Sequence, residues 1–104
     1  MNENTFFSLG AVDDAVIRAE RNKARALRKS RWWQQKTSSG TCWYCGHKVG
    51  FHNLTMDHII PLARGGRSTK DNLVPCCKEC NTKKKSSLPI EWEEYMDSLR
   101  RPQE

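Results

Sequence analysis

Apolar residues are scarce in this chain, and no long hydrophobic run occurs. Hydrophobic residues make up 37% of the 104 positions, and the mean hydropathy is −0.82. No stretch approaches the roughly 20 consecutive apolar residues of a membrane-spanning helix. The N-terminus has no basic region followed by an apolar run, so we expect no signal peptide and a cytoplasmic location. A core this thin usually needs a metal or disulfides for stability.

Acidic residues are also outnumbered: 12 Asp and Glu stand against 18 Lys and Arg, which gives a net charge of +6 and a pI of about 9.3. Such a surplus favours an anionic partner, and nucleic acid is the commonest one. Residues 12–36 lack Pro and Gly, and between Arg18 and Lys36 only Glu20 opposes eight basic residues. This stretch predicts one long basic helix. Either the helix turns its cationic sides to phosphates, or it is solvated and docks only through its Trp end.

Five cysteines are present, and four of them form two Cys-x-x-Cys pairs, Cys42 with Cys45 and Cys77 with Cys80. Two such pairs in a short chain favour a tetrahedral four-thiolate zinc site, whereas one pair alone would also suit thiol redox chemistry. The spacing from Cys76 to Cys80 is one residue longer. We therefore expect Cys77 to be the ligand and Cys76 to be a small buried apolar residue.

The second half of the chain predicts a strand, a loop, a strand and two helices. The predicted segments are a strand at 54–60 ended by Pro61, a basic glycine loop at 64–68, a strand at 72–74 ended by Pro75, a helix at 77–85 and a last helix from Pro89. In the last helix Trp92, Tyr95, Met96 and Leu99 share one face, which we expect to pack on the core.

The dipeptide Asp57-His58 is the sharpest local signal for chemistry. Asp supplies a hard oxygen ligand for Mg²⁺ or a similar ion, and His takes a proton from water near neutral pH. Asn81 offers a neutral carbonyl oxygen to the same ion. Asn72 is suited to hydrogen-bond the backbone of the loop after His58. Because adjacent strand residues point to opposite faces, Asp57 and His58 share a site only if the strand ends or twists there.

Taken together, these motifs resemble the HNH endonuclease family in its zinc-bearing, cysteine-flanked branch. The motifs are Cys42-x2-Cys45, Asp57-His58-Ile59-Ile60-Pro61, Gly65-Gly66, Asn72-Leu73-Val74-Pro75, Cys77-x2-Cys80-Asn81 and Lys84. The resemblance implies an α+β fold: a small ββα-metal domain with a structural four-cysteine zinc site, a long basic helix before it and a short helix after it. It divides the chain into a basic helical extension at 1–40 and a nuclease domain with a C-terminal packing helix at 41–104.

The resemblance also implies roles for single residues. His58 would be the general base, Asp57 and Asn81 would hold the catalytic ion, and Asn72 would steady the loop that carries His58. The structural zinc would be held by Cys42, Cys45, Cys77 and Cys80. Where the family name expects a final His, this chain has Asn81, which favours Mg²⁺ or Mn²⁺, with Ni²⁺ as a third candidate.

By the same resemblance the substrate would be double-stranded DNA, nicked or cut through, and the protein a monomer or transient dimer. The predicted phosphate contacts are Arg21, Arg25, Arg28, Arg64, Arg67, Lys83, Lys84 and Lys85. Small members of the family occur in phages and mobile elements, so a phage-infected or bacterial cell and phage packaging proteins are the expected context. Two alternatives stay open: a zinc-stabilised DNA-binding module without catalysis, and a thiol-redox protein.

Overall fold

The computed structural model describes residues 12–84 and 87–100, except the side chain of Arg100. Its elements are helices α1 (Asp14–Arg28) and α2 (Arg31–Thr37), strands β1 (Leu54–His58) and β2 (Leu73–Cys77), and helices α3 (Lys78–Lys84) and α4 (Pro89–Arg100). Short 3₁₀ turns lie at Phe51–Asn53, Leu62–Arg64 and Lys70–Asn72. A hairpin followed by a helix, with helices on either side, confirms the predicted α+β class. None of the described helices is long and apolar enough to cross a membrane.

Strands β1 and β2 form one antiparallel hairpin, with Leu54 opposite Cys77 at one end and His58 opposite Leu73 at the other. All of β2 is buried, whereas β1 is mostly half-buried. The first strand ends at His58, two residues earlier than predicted, because the chain bends at residues 59 and 60. The hairpin therefore has two distinct ends, one next to the cysteines and one at Asp57-His58.

The prediction that Pro75 ends the second strand is wrong, because Pro75 lies inside β2. Ile59 donates its N–H to the Asn72 carbonyl at 2.9 Å. By the alternation of an antiparallel ladder, Met56 and Pro75 then form a non-hydrogen-bonded pair, in which the missing N–H of proline costs no ladder bond. The Pro75 carbonyl faces the outer edge and accepts the Trp43 N–H at 2.8 Å.

The prediction of a single long basic helix is also wrong, because α1 and α2 are separate helices. Ser30 has an extended backbone and caps α2, and its hydroxyl oxygen accepts the Trp33 N–H. The same hydroxyl donates to the Leu27 carbonyl at the end of α1. One serine thus satisfies backbone groups of both helix ends, which makes the break favourable at this position.

The core is built around the cysteines. Cys42, Cys76, Cys77, Cys80 and Trp92 are buried together, and Met96 packs against them. Burial raises the pKa of the Cys76 thiol, which therefore stays protonated, in agreement with its predicted apolar role. Helix α4 contributes less of its predicted face than expected, since Tyr95 is partly exposed and Leu99 is 58% exposed.

The N-terminal helices contact the rest of the described chain. Helix α1 lies against α2 and the turn at Leu62–Arg64, and α2 lies against β2. The division into units at residue 40 stays a prediction.

Candidate active site

Four thiols, from Cys42, Cys45, Cys77 and Cys80, form a cluster at one end of the hairpin. Their sulfur atoms all lie within 4.8 Å of one another, and the Cys45 and Cys77 Sγ atoms are 3.9 Å apart. A tetrahedral zinc ion with Zn–S bonds of about 2.3 Å separates its ligands by about 3.8 Å. The cluster therefore has the donor set and the dimensions of a structural zinc site, with the ligands predicted from the sequence.

The turn between Cys45 and the next segment requires a glycine. Gly46 has a φ of +75°, a left-handed conformation that residues with a Cβ atom rarely adopt. Its N–H donates to the Cys42 carbonyl at 3.0 Å, which closes the turn around the first two ligands.

His58 lies at the opposite end of the hairpin, half-buried, with Nε2 2.9 Å from the Ser68 hydroxyl. That hydroxyl has a single hydrogen, which it donates to the Glu20 backbone carbonyl at 2.5 Å. The Ser68 oxygen can then only accept, so Nε2 of His58 carries the proton and Nδ1 keeps the lone pair. Burial holds the pKa of His58 below its usual value, and this effect outweighs the opposing effect of the Asp57 and Glu20 carboxylates. The imidazole is therefore neutral near pH 7.

A cleft of about 230 Å³ opens beside His58. Its lining includes Arg21, Arg25 and Arg28 from one face of α1, together with Met56 of β1. All three arginines are exposed. The structure thus places three predicted phosphate contacts in the same cleft as the predicted base.

Asp57 is buried on the other face of β1. Its Oδ2 atom accepts the Tyr44 hydroxyl at 2.6 Å and lies 3.2 Å from the Lys84 ammonium. Burial, and then the hydrogen bond to Asp57, raise the pKa of Tyr44, so this hydroxyl stays protonated. Asp57 and His58 therefore point to opposite faces, but β1 ends at His58, which leaves the imidazole at the rim of the hairpin.

Asn81 lies on α3, three residues before Lys84, so the two side chains share one side of that helix. The Asn81 amide makes no hydrogen bond to another residue in the described part of the chain. Carboxylate and amide oxygens suit Mg²⁺ or Mn²⁺. The roles of Asp57 and Asn81 as metal ligands stay predictions.

Asn72 fixes the loop that follows His58. Its Oδ1 accepts the Ile60 N–H at 2.8 Å, and its Nδ2 donates to the Ile60 carbonyl at 3.1 Å and the Arg67 carbonyl at 2.7 Å. Gly66 approaches the same segment so closely that a Cβ atom would lie 1.7 Å from the Ile60 oxygen. The loop therefore accepts only glycine at Gly66, and the side chain of Asn72 bridges its two ends.

Lys84 differs from its predicted role. It is 1% exposed, and its ammonium donates to the carbonyls of His58, Ile59 and Ser87 at 3.2–3.3 Å in addition to pairing with Asp57. A side chain held in this way does not reach DNA at the surface. The reason is its position on α3, four residues after the buried Cys80, on the face turned to the hairpin.

Within the described residues, the other predicted phosphate contacts of the second half are exposed, but each is paired with a carboxylate. Arg64 lies 3.4 Å from Glu91, Arg67 3.5 Å from Glu20, and Lys83 2.9 Å from Glu79. Lys85 lies outside the described residues. Their contribution to DNA binding stays a prediction.

Three residues of this region, Tyr44, Ser68 and Glu20, had no predicted role. For Glu20 the sequence does hold a signal, since a lone carboxylate among eight basic residues needs a reason. Its side chain is 4% exposed and accepts the Ser68 N–H at 2.6 Å. For Ser68 and Tyr44 no pattern in the sequence indicates the contact.

Comparison with known proteins adds independent information. The family described as HNH endonuclease matches residues 42–95, just over half of the chain. A 44-residue segment is 48% identical to the CRISPR-associated endonuclease Cas9 of Corynebacterium diphtheriae, and 50 residues are 42% identical to that of Actinomyces naeslundii. A third relative, the type IV methyl-directed restriction enzyme EcoKMcrA of Escherichia coli, is 36% identical over 55 residues.

These similarities are local. They cover 41% of this chain for the first relative and 47% for each of the other two. The matched segments amount to 4% of each Cas9 chain and 20% of the restriction enzyme. The likeness thus concerns one small part of each relative.

Proposed function

The chain belongs to the HNH endonuclease family, and from that premise we propose that it hydrolyses phosphodiester bonds of double-stranded DNA at the His58 end of the hairpin. The observation that carries this proposal is the cleft of about 230 Å³ in which His58 lies beside Arg21, Arg25 and Arg28. A neutral imidazole and three guanidinium groups are what hydrolysis of a phosphodiester needs on its protein side: a base for water and cations for phosphate.

In this mechanism Nδ1 of His58 takes a proton from the attacking water, because Nε2 already carries a hydrogen bonded to Ser68. The arginines hold the phosphates on either side of the reacting one, and Asn72 keeps the loop after His58 in place. Asp57 and Asn81 would hold a divalent cation, which supplies charge neutralisation at the phosphate and the leaving 3′ oxygen. Their oxygen donors fit Mg²⁺ or Mn²⁺, with Ni²⁺ next.

Incubation of the zinc-loaded protein with supercoiled plasmid tests the proposal. We expect nicking with Mg²⁺, Mn²⁺ or Ni²⁺ and none without an added divalent ion. His58→Ala should abolish it, whereas His52→Ala, at an exposed histidine outside the cleft, should cut like the parent. Cleavage by His58→Ala at the parent's rate, or no cleavage by the parent with any of the three ions, would refute it.

The form of the product bears on assembly. One His58 serves one strand, so a single chain should produce nicked circles first. Linear product appearing without a nicked precursor would indicate a dimer. The phage or bacterial context, packaging proteins as partners and a cytoplasmic location stay predictions of the resemblance.

A second candidate, a zinc-stabilised DNA-binding module without catalysis, is favoured by one observation. The buried Asp57 carboxylate is already paired with the Lys84 ammonium at 3.2 Å, so its charge is balanced without a metal ion. Salt-sensitive binding of DNA with no cleavage in any divalent ion would support this candidate against the nuclease.

A further inference from the structure

We propose that Glu20 and Ser68 are positioning residues for His58, so that helix α1, which lies outside the family match at 42–95, is part of the cleavage apparatus. The inference rests on the proposed nuclease function. Three hydrogen bonds connect α1 to the imidazole. The Ser68 N–H donates to the Glu20 carboxylate, and the Ser68 hydroxyl donates to the Glu20 backbone carbonyl. The same hydroxyl contacts Nε2 of His58.

Glu20 holds Ser68 from two sides. Its Oε1 accepts the Ser68 N–H at 2.6 Å, and its backbone oxygen accepts the Ser68 hydroxyl at 2.5 Å. The other carboxylate oxygen lies 3.1 Å from Lys23 and 3.5 Å from Arg67, so the buried charge is balanced. Glu20 is 3% exposed and Ser68 is 6% exposed. The pair is therefore a fixed, water-excluded contact between residues 48 positions apart in the chain.

The direction of the hydroxyl hydrogen decides what Ser68 does to His58. Because the hydroxyl donates to a carbonyl, which cannot donate in return, it offers His58 a lone pair only. The contact therefore selects the imidazole tautomer with hydrogen on Nε2 and holds the ring in one orientation. Loss of the contact would free the ring to rotate and to adopt the other tautomer, in which Nδ1 is not a base.

The three arginines that line the cleft lie on α1, the helix that also carries Glu20. Arg21 follows Glu20 directly, and Arg25 and Arg28 lie one and two turns further on. The Glu20–Ser68 contact thus aligns the phosphate-binding face of α1 and the imidazole together. If Ser68 served only to dock α1, removal of its hydroxyl would leave the tautomer and the orientation of the His58 ring unchanged.

Long-range ¹H–¹⁵N spectra of the zinc-loaded protein in Mg²⁺ test the contact without measuring cleavage. We expect a His58 Nε2–H signal protected from exchange with water in the parent, lost in Ser68→Ala and kept in Ser68→Thr. Ser38→Ala is the matched control, since Ser38 also donates to a helix carbonyl, that of Gln35, but at an exposed position. A His58 proton found on Nδ1 in the parent would overturn the proposal.

Steady-state cleavage kinetics give the second readout. Ser68→Ala should lower kcat about tenfold, the effect of one neutral hydrogen bond, with KM for DNA unchanged, and Ser68→Thr should restore most of it. Glu20→Ala should lower kcat in the same direction with the Ser68 hydroxyl intact, which keeps the test valid if Ser68→Ala does not fold. Parent-like kcat in both alanine variants, with His58→Ala inactive, would refute the positioning role while the nuclease stands. A parent that shows the protected signal but never cleaves would refute the nuclease and this inference with it.

Discussion

The two ends of the hairpin are held by different chemistry. At the Cys77 end, four thiols converge within 4.8 Å in the geometry of a zinc site. At the His58 end, polar side chains hold backbone carbonyls: the buried Lys84 holds those of His58 and Ile59, and the half-buried Asn72 holds those of Ile60 and Arg67. One end of the hairpin therefore stabilises the fold, and the other end gives substrate access to His58. A closed thiolate site fixes the fold, whereas hydrogen bonds from within leave the rim open to phosphate and water.

The largest expected effect is at the thiol end. Cys80→Ser, or removal of zinc by a chelator, should unfold the domain, because structural zinc contributes about 10–16 kcal/mol and a small domain has only about 5–15 kcal/mol in total. Circular dichroism with and without chelator measures this. Cys76→Ala is the matched control, since Cys76 is equally buried but outside the cluster, and it should still bind zinc. A melting temperature unaffected by chelation would contradict the comparison.

The second largest effect on stability is expected for Lys84→Met. The change leaves the buried Asp57 carboxylate without its cation, so we expect a loss of about 3–5 kcal/mol in the free energy of unfolding, with zinc still bound. Lys83→Met, which removes the neighbouring exposed pair with Glu79, should leave the free energy of unfolding almost unchanged, because solvent screens that pair. Urea denaturation of both variants decides the matter. Equal costs would mean that Lys84 is not the internal cation of the His58 end.

Asn72→Ala should have a smaller and local effect. It removes three hydrogen bonds at the ends of the loop after His58, worth about 1–3 kcal/mol together. Hydrogen exchange of the Ile60 amide should accelerate while amides near the cysteines stay protected. Asn53→Ala, which removes one exposed bond to the Val49 carbonyl, should leave Ile60 unchanged. Faster exchange at both ends of the hairpin would show that they are not independent.

The smallest effect on the fold is expected in the arginine cleft. Arg25→Gln combined with Arg28→Gln should leave stability unchanged but lower the slope of log K against log salt for DNA binding by about 2, one unit for each lost phosphate contact. Titrations over a salt series give that slope. Arg18→Gln, on the same helix but outside the cleft lining, should leave the slope as it is. If Arg18→Gln lowered the slope and the double variant did not, DNA would bind outside the arginine cleft.

The zinc ligands were predictable because their spacing is local. Each Cys-x-x-Cys pair is contained in four residues, and the choice of Cys77 over Cys76 follows from that spacing alone. The start of the last helix at Pro89 was predictable for the same reason. The hydrogen bonds of Asn72 also match the expectation from the residues, although its part in catalysis stays a prediction.

What the sequence did not reveal depends on contacts between distant segments. Three lysines in a row, Lys83 to Lys85, give no sign that Lys84 turns inward, because that follows from how α3 lies on the hairpin. The Glu20–Ser68 contact joins residues 48 apart and has no periodicity to indicate it. The break between α1 and α2 was missed because the absence of Pro and Gly outweighed Ser30, whose capping needs the right neighbours to be recognised.

In the proposed nuclease, Asp57 and Asn81 would bind the cation that assists cleavage. Anomalous diffraction from crystals of the zinc-loaded protein soaked in Mn²⁺ locates that cation directly. We predict one zinc held by the four cysteines and one manganese held by Asp57 and Asn81. Manganese absent from that position at saturating concentration, with zinc in place, would contradict the account.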